Sequence, residues 1–296
     1  MARSRWRVIV GLASILVACA ETAEEAVTCP PSPWRSSPPL VIAHAGGEGL
    51  GPANTLVAME RSLAAGADLL DVDLRMTRDG VVVATHDRDV ATTTDGAGNV
   101  DELTWAELRR LDASAGWTGP PIGGPVRIPS LEQVLTRFPT VRISLELKQV
   151  EPPMTGPLCD VLRRTTSVGR VYASANEDRV VYAARDACPG LLITTTYADL
   201  DTMRSSTEGD ADWCAASPIG QPPYGEGRLD AERVAMSHRR GTALFVWTVD
   251  DADVLRELAT AGVDAVYTRR PDIARAVFDD VGVVVDVLPA DGVSGG

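Results

Sequence analysis

Along the chain, apolar and polar positions switch between two periods. Short apolar runs of strand length occur at 41–46, 69–74, 142–147, 170–174, 191–196, 211–216, 243–249 and 264–268. Between most of them apolar residues recur at helical spacing, at 54–65, 130–138, 177–187, 230–240 and 250–261, with weaker patterns at 156–166 and 198–205. Helix starts are marked by Asn54-Thr55 and by Ser130 ahead of Leu131-Glu132, side chains suited to the first free N–H groups. Eight strands alternating with helices across 41–278 predict an α/β fold, a (β/α)8 TIM barrel of the usual ~250 residues. A doubly wound open sheet is the structural alternative. The glycines at Gly46, Gly47, Gly49 and Gly51 follow the first strand, but their spacing is not that of a dinucleotide-binding turn.

One connection is too long for a single helix. Residues 75–141 hold a further strand in Val81-Val82-Val83-Ala84-Thr85-His86-Asp87, after the turn Arg78-Asp79-Gly80, and a helix at Thr104–Leu111. This predicts a small insertion after the second strand, at about 75–130, on the face where barrel enzymes carry their sites.

The ends of the chain read differently. Arg3, Arg5 and Arg7 precede the apolar stretch Val8–Ala18, the layout of an export signal. Leu16-Val17-Ala18-Cys19 resembles a bacterial lipobox, in which Cys19 is lipidated; cleavage after Ala18-Cys19-Ala20 is the alternative. Residues 1–19 are therefore expected to direct export, and 20–40, rich in Pro, Ser, Glu and Ala, to form a flexible linker. The barrel should span 41–278 and a tail 279–296. The expected location is extracytoplasmic, on the membrane through an N-terminal lipid anchor, or else secreted. No apolar run reaches the ~20 residues that cross a bilayer.

Cys29, Cys159, Cys188 and Cys214 remain beyond the export signal. Their spacings match no zinc pattern, and outside the cytoplasm four cysteines suggest two disulfides with three connectivities open. Cys188 and Cys214 both fall just before or early in a strand at one end of the fold. That favours Cys188–Cys214, with Cys29–Cys159 left over.

Composition narrows the chemistry. With 28 Lys+Arg against 41 Asp+Glu in 296 residues the net charge is −13, which argues against nucleic acid as a partner. Lys148 is the sole lysine, and the histidines are His44, His86 and His238. Polar residues that a buried strand should not tolerate gather at strand ends. His44 closes the first strand; Asp71 and Asp73, at i and i+2, face one side of the second; Glu146 and Lys148 repeat that spacing on the third. Three carboxylates converging on one barrel mouth repel unless protonated or bridged by a cation, and all-oxygen donors favour Ca²⁺ or Mg²⁺ over zinc. Lys148 could serve as counter-ion to Glu146, a compact point charge in a chain that otherwise uses Arg. His238, before Arg239-Arg240-Gly241, reads as a surface residue, and Asp250-Asp251-Ala252-Asp253 as a solvated helix N-terminus.

Taken in order, these motifs resemble the glycerophosphodiester phosphodiesterase family over most of 41–278. Ile42-Ala43-His44-Ala45-Gly46-Gly47 is similar to its opening His-Arg-Gly strand, Pro52-Ala53-Asn54-Thr55 to its Pro-Glu-Asn-Thr helix start, and Asp71-Val72-Asp73 to its Glu-x-Asp metal segment. Thr77-Arg78-Asp79-Gly80, His86-Asp87, Thr93-Thr94-Asp95-Gly96, Ser130-Leu131, Glu146-Leu147-Lys148 and Trp247-Thr248-Val249-Asp250-Asp251 follow in family order. Thr268-Arg269-Arg270-Pro271 stands where the family has Thr-Asp-x-Pro.

The resemblance implies a small-molecule phosphodiester substrate, catalytic histidines His44 and His86, and a divalent metal on Asp71, Asp73 and Glu146. It makes Lys148 a phosphate contact and Trp247 an apolar wall. One histidine would act as base on the nucleophile and the other would protonate the leaving alcohol. Two residues depart from the pattern: Ala45 and Ala53 replace the family's Arg and Glu, which pair near the phosphate. Related activities on phospholipid headgroups or on a wall glycerophosphate polymer are alternatives, as is a catalytically dead, lipid-anchored binding barrel.

Overall fold

The computed structural model describes residues 28–205, 213–225 and 229–285. The export signal, Cys19, the first part of the expected linker and the end of the expected tail lie outside the described residues.

Among the described residues the strands are β1 (Leu40–Ala43), β2 (Leu69–Met76), β3 (Val82–Ala84), β4 (Arg142–Leu147), β5 (Val171–Ser174), β6 (Leu192–Ile193), β7 (Ile219–Gly220), β8 (Ala243–Val246) and β9 (Ala265–Thr268). The helices are α1 (Leu56–Ala64), α2 (Trp105–Leu108), α3 (Leu131–Arg137), α4 (Thr155–Arg164), α5 (Asp178–Ala187), α6 (Tyr197–Ser205), α7 (Ala231–Arg239), α8 (Ala252–Ala261) and α9 (Pro271–Val285). The sheet order is β6-β5-β4-β2-β1-β9-β8-β7, all parallel, with β3 antiparallel on β2. At the seam the Thr195 N–H donates to the Ile219 carbonyl (2.8 Å) and the Ser217 hydroxyl to the Ile193 carbonyl (2.6 Å). Eight strands thereby form a nearly closed (β/α)8 barrel, as the alternating periods predict.

Strand alternation sorts the core into layers. Inward-facing Ile42, Leu69, Tyr172, Ile219, Ala243, Phe245, Ala265 and Tyr267 fill the barrel. Outward-facing neighbours such as Leu70, Val72, Leu145 and Ala173 pack under the helices. Burying each large apolar side chain contributes roughly 1.5–3 kcal/mol. The insertion between β2 and β4 has its own small core of Val83, Val90, Val100, Leu108, Ala113 and Ile128, and two capping boxes, at Thr104 and Ser130, start α2 and α3.

Several expectations need correction. The sixth barrel strand, β7, is Ile219–Gly220, not 211–216: Trp213 instead lies under the Arg240 guanidinium, which is 4.3 Å from the indole ring centroid, and Ala215 N–H donates to the Arg240 carbonyl. The disulfides are Cys29–Cys214 and Cys159–Cys188, each with Cα atoms 5.4 Å apart. Cys188 does precede a strand, but it ends α5, and Cys159 on the neighbouring helix α4 is the cysteine within reach. α9 runs to Val285, into the stretch read as a tail.

The described part of the expected linker is packed rather than free. Trp34 closes the end of the barrel where the strands begin, edge-on to Tyr172 and Phe245 at centroid distances of 5.5 and 6.0 Å. The Arg142 guanidinium lies over the same ring. The Ser32 hydroxyl donates to the Pro218 carbonyl (2.6 Å), and Ser36 N–H donates to Asp264 (3.3 Å). His238, expected at the surface, pairs there through Nε2 with the buried Asp264 at 2.7 Å.

Candidate active site

The opposite end of the barrel opens into a cavity of about 260 Å³ lined by His44, Asp71, His86, Glu146, Lys148 and Trp247, among others. Parallel strands deliver His44, Glu146, Lys148 and Trp247 to one mouth because these lie at or just beyond the C-termini of β1, β4 and β8, while Asp71 points in from within β2 and His86 arrives from the insertion. The β2–β4 register sets Asp73 beside Glu146 and Asp71 beside Ser144.

β1 ends in a single turn, His44–Gly46, that bends the chain over the mouth. Ala45 takes a left-handed conformation (φ 47°) and directs its N–H to Asp71 Oδ2 at 3.3 Å. Gly47 follows at φ 91°, where a Cβ would lie 1.8 Å from Ser62 Oγ; only glycine fits. The Nδ1 of His44 is sealed from solvent and has Glu48 Oε1 at 3.3 Å, without a fully aligned hydrogen bond.

Burial pulls the pKa of His44 down, but Glu48, Asp71 and Asp73 together outweigh it and raise the imidazole to about 9. Burial also raises Asp71, to about 7; the His44 charge opposes this, and the charges of Asp73 and Glu146 add to it.

Asp73 is held from three sides. The Asn54 amide donates to its Oδ2 (2.8 Å), and the Asn54 carbonyl oxygen accepts the Asp73 N–H (3.0 Å). Lys148 Nζ lies 3.3 Å from its Oδ1 and also pairs with Glu146. Burial opposes the charge on Lys148, yet Asp73 and Glu146 raise its pKa. Asn54 reaches this position in a left-handed conformation (φ 58°). It belongs to the motif Pro52-Ala53-Asn54-Thr55, whose residue spacing alone carries no sign of its grip on Asp73.

His86 comes from the insertion, on the loop after β3. That loop is tied to β2 by Thr85 N–H on the Asp73 carbonyl (2.9 Å) and by Arg75 Nε on the His86 carbonyl (2.7 Å). The exposed His86 ring has Nδ1 3.0 Å from Asp87 Oδ1. Trp247 forms the wall near β8, its indole N–H donating to the Gln221 carbonyl (2.8 Å). Beneath the site, Tyr172 and Tyr267 share a hydrogen bond of 2.9 Å, and burial raises both phenols.

Asp71, Asp73 and Glu146 offer only oxygen donors, and the buried Asp73 Oδ1 has no hydrogen-bond partner. That chemistry suits a hard divalent cation. Among the described residues no three His, Cys, Asp or Glu side chains are drawn around one point at metal-holding geometry. Asp73 and Glu146 are closed instead on the Lys148 ammonium, and Asp71 on the Ala45 N–H.

Residues 44–273 match the model of the glycerophosphoryl diester phosphodiesterase family. The chain belongs to this family. It is 30% identical over 237 residues to YhdW of Bacillus subtilis, provisionally named a glycerophosphodiester phosphodiesterase, covering 78% of this chain and 95% of that protein. Among solved structures it is similar to the glycerophosphoryl diester phosphodiesterase domain of a Mycobacterium tuberculosis protein. There the identity is 25% and the TM-score 0.69, over 80% of this chain and 98% of that one. A phosphodiesterase of Oleispira antarctica, solved with the product sn-glycerol-3-phosphate, shares the fold at 23% identity and TM-score 0.68, over 81% of this chain and 97% of that one. The chain is thus a phosphoric diester hydrolase of the glycerophosphodiester phosphodiesterase type.

Proposed function

We propose that the chain hydrolyses small glycerophosphodiesters to glycerol phosphate and an alcohol by acid–base catalysis from His44 and His86. The observation that carries this is a single mouth lined by both imidazoles, the only lysine and the acidic cluster. The Oleispira relative bound to sn-glycerol-3-phosphate supports the same product here.

Lys148 brings a fixed positive charge to the mouth, where negative charge builds on the phosphoryl oxygens. Its ion pairs with Asp73 and Glu146 hold that charge in place before substrate arrives. One imidazole removes a proton from the nucleophile, the glycerol 2-hydroxyl, as it bonds to phosphorus, and the other protonates the departing alkoxide; water then opens the resulting cyclic phosphate to glycerol phosphate. Each such role typically contributes ~10²–10⁴-fold. Trp247 walls off one side and keeps water from that face of the substrate. Asp71, Asp73 and Glu146 are the residues that would hold a divalent cation, Ca²⁺ or Mg²⁺, which when bound adds Lewis-acid neutralisation of the phosphoryl oxygens.

The experiment is a panel of glycerophosphodiesters, a lysophospholipid and a wall-type glycerophosphate polymer, assayed with EDTA and after Ca²⁺ or Mg²⁺ is restored. Turnover of glycerophosphodiesters that EDTA stops and Ca²⁺ or Mg²⁺ restores is the expected result. Full turnover in chelator removes the metal from the proposal. Binding without product release refutes catalysis. Export and lipid attachment at Cys19 remain part of the proposal, resting on the first 19 residues of the sequence.

A further inference from the structure

Glu48 is absent from the machinery described so far, yet it is the acidic side chain closest in sequence to His44. Its Oε1 stands 3.3 Å from His44 Nδ1, the ring nitrogen sealed from solvent, while the ring itself lines the cavity. Glu48 is in turn held. Arg269 Nε lies 3.7 Å from the same Oε1 and 2.8 Å from Asp250 Oδ2, and the Arg269 N–H donates to Asp250 Oδ1 at 2.7 Å.

The backbone brings these two side chains together. Gly49 N–H donates to the Arg269 carbonyl (3.0 Å), and a Cβ on Gly49 would come within 2.5 Å of that oxygen. The loops after β1 and β9 therefore run in contact only because residue 49 is glycine. Glu48 at one side of the contact and Arg269 at the other are this chain's own charges. Ala45 and Ala53 stand where the motif pattern has an Arg and a Glu, and Arg269 stands where it has an Asp. An opposite-charge pair is missing at 45 and 53 and another is present at 48 and 269.

We propose that Glu48 is a positioning residue for His44. It accepts the Nδ1 proton and fixes the ring so that Nε2 faces the cavity, and Arg269 keeps the carboxylate in place. A catalytic imidazole oriented by a third group is a recurrent device: with Nδ1 held by a carboxylate, Nε2 is left as the ring's reacting atom. This rests on the proposed catalytic role of His44.

With three histidines in the chain, imidazole ¹⁵N spectra resolve each ring, and they are read beside kcat and KM for the full-length enzyme. Glu48→Ala should lower kcat by about tenfold or more, part of what one acid–base group supplies, with KM within about twofold. It should alter the His44 ring signals and leave those of His238 in place. Glu48→Asp should recover part of the loss, and Arg269→Ala should reproduce a smaller fall of the same kind. If Glu48→Ala fails to fold, the Asp and Arg269 variants carry the test with the same signature. An unchanged kcat and His44 spectrum in these variants, beside an inactive His44→Ala, overturns the role of Glu48 and leaves that of His44. Activity retained in His44→Ala overturns both.

Discussion

Lys148 Nζ lies 3.3 Å from the buried Oδ1 of Asp73, an oxygen with no hydrogen bond of its own. The ammonium is the positive charge closest to that carboxylate, and it also holds Glu146. Removing one member of such a buried pair leaves the other charge uncompensated, at a cost of about 3–5 kcal/mol. Lys148→Met should therefore lower the metal-free unfolding free energy by that amount in urea titrations. Lys148→Arg should recover only part of it, because a planar fork does not reproduce a point charge. Added Ca²⁺ should stabilise Lys148→Met more than the natural protein, since it would neutralise the same carboxylates.

The acidic cluster makes stability depend on pH with a definite sign. Burial lifts Asp71 from 3.8 to about 7, and neighbouring carboxylates lift His44 from 6.5 to about 9. Both native values exceed the unfolded ones, so the native state binds more protons across this range. The contribution of Asp71 is present below its unfolded pKa and is lost as the pH rises through about 7; that of His44 is present below 6.5 and is lost through about 9. Melting in chelator should show Tm falling steadily from pH 5 to pH 9. Asp71→Asn should flatten the part below pH 7. A Tm that rises over this interval contradicts the sign.

His44→Ala and His86→Ala should each reduce diesterase turnover by ~10²–10⁴-fold while the melting temperature stays near that of the natural protein for His86, whose ring is exposed. Near-normal turnover in either variant, measured on a soluble glycerophosphodiester, removes that histidine from the chemistry.

Asn54 combines a backbone role with a side-chain one, and two substitutions separate them. Asn54→Gly keeps the left-handed backbone but removes the amide that holds Asp73. The lost hydrogen bonds should cost about 1–3 kcal/mol. Asn54→Ala should cost more, because its Cβ does not favour φ 58°. Equal stability of the two, by chemical denaturation, would mean that the backbone conformation carries no penalty there.

Cys29→Ser with Cys214→Ser opens the disulfide that ties the segment carrying Trp34 to the base of the barrel. Loss of a link this long in sequence should cost about 2–4 kcal/mol. Because the bond sits at the far end from the mouth, kcat of the folded enzyme should be unchanged.

What could be read from the sequence follows from which features are periodic. His44, Asp71, Asp73, Glu146 and Lys148 were visible because a barrel strand buries its inward positions, so polar groups at i and i+2 near its end stand out. β7 differs from the sequence expectation because its two residues lie between Pro218 and Pro222 and leave no alternation, while Trp213 and Cys214 before it fasten the N-terminal segment. Trp34 escapes the pattern for a similar reason: a single aromatic in a Pro- and Ser-rich stretch has no period, yet it fills the barrel's base. Glu48 and Asn54 act through loop backbone conformations set by contacts distant in sequence, which no local pattern encodes.

The segment that Trp34 pins crosses the barrel where the strands begin, whereas every catalytic candidate lies where they finish. Whatever holds this protein by its amino end therefore grips it by the heel. If the proposed lipid at Cys19 is present, the chain runs from it to the barrel at the end away from the mouth, so the attachment and the entrance are on opposite ends of the strands.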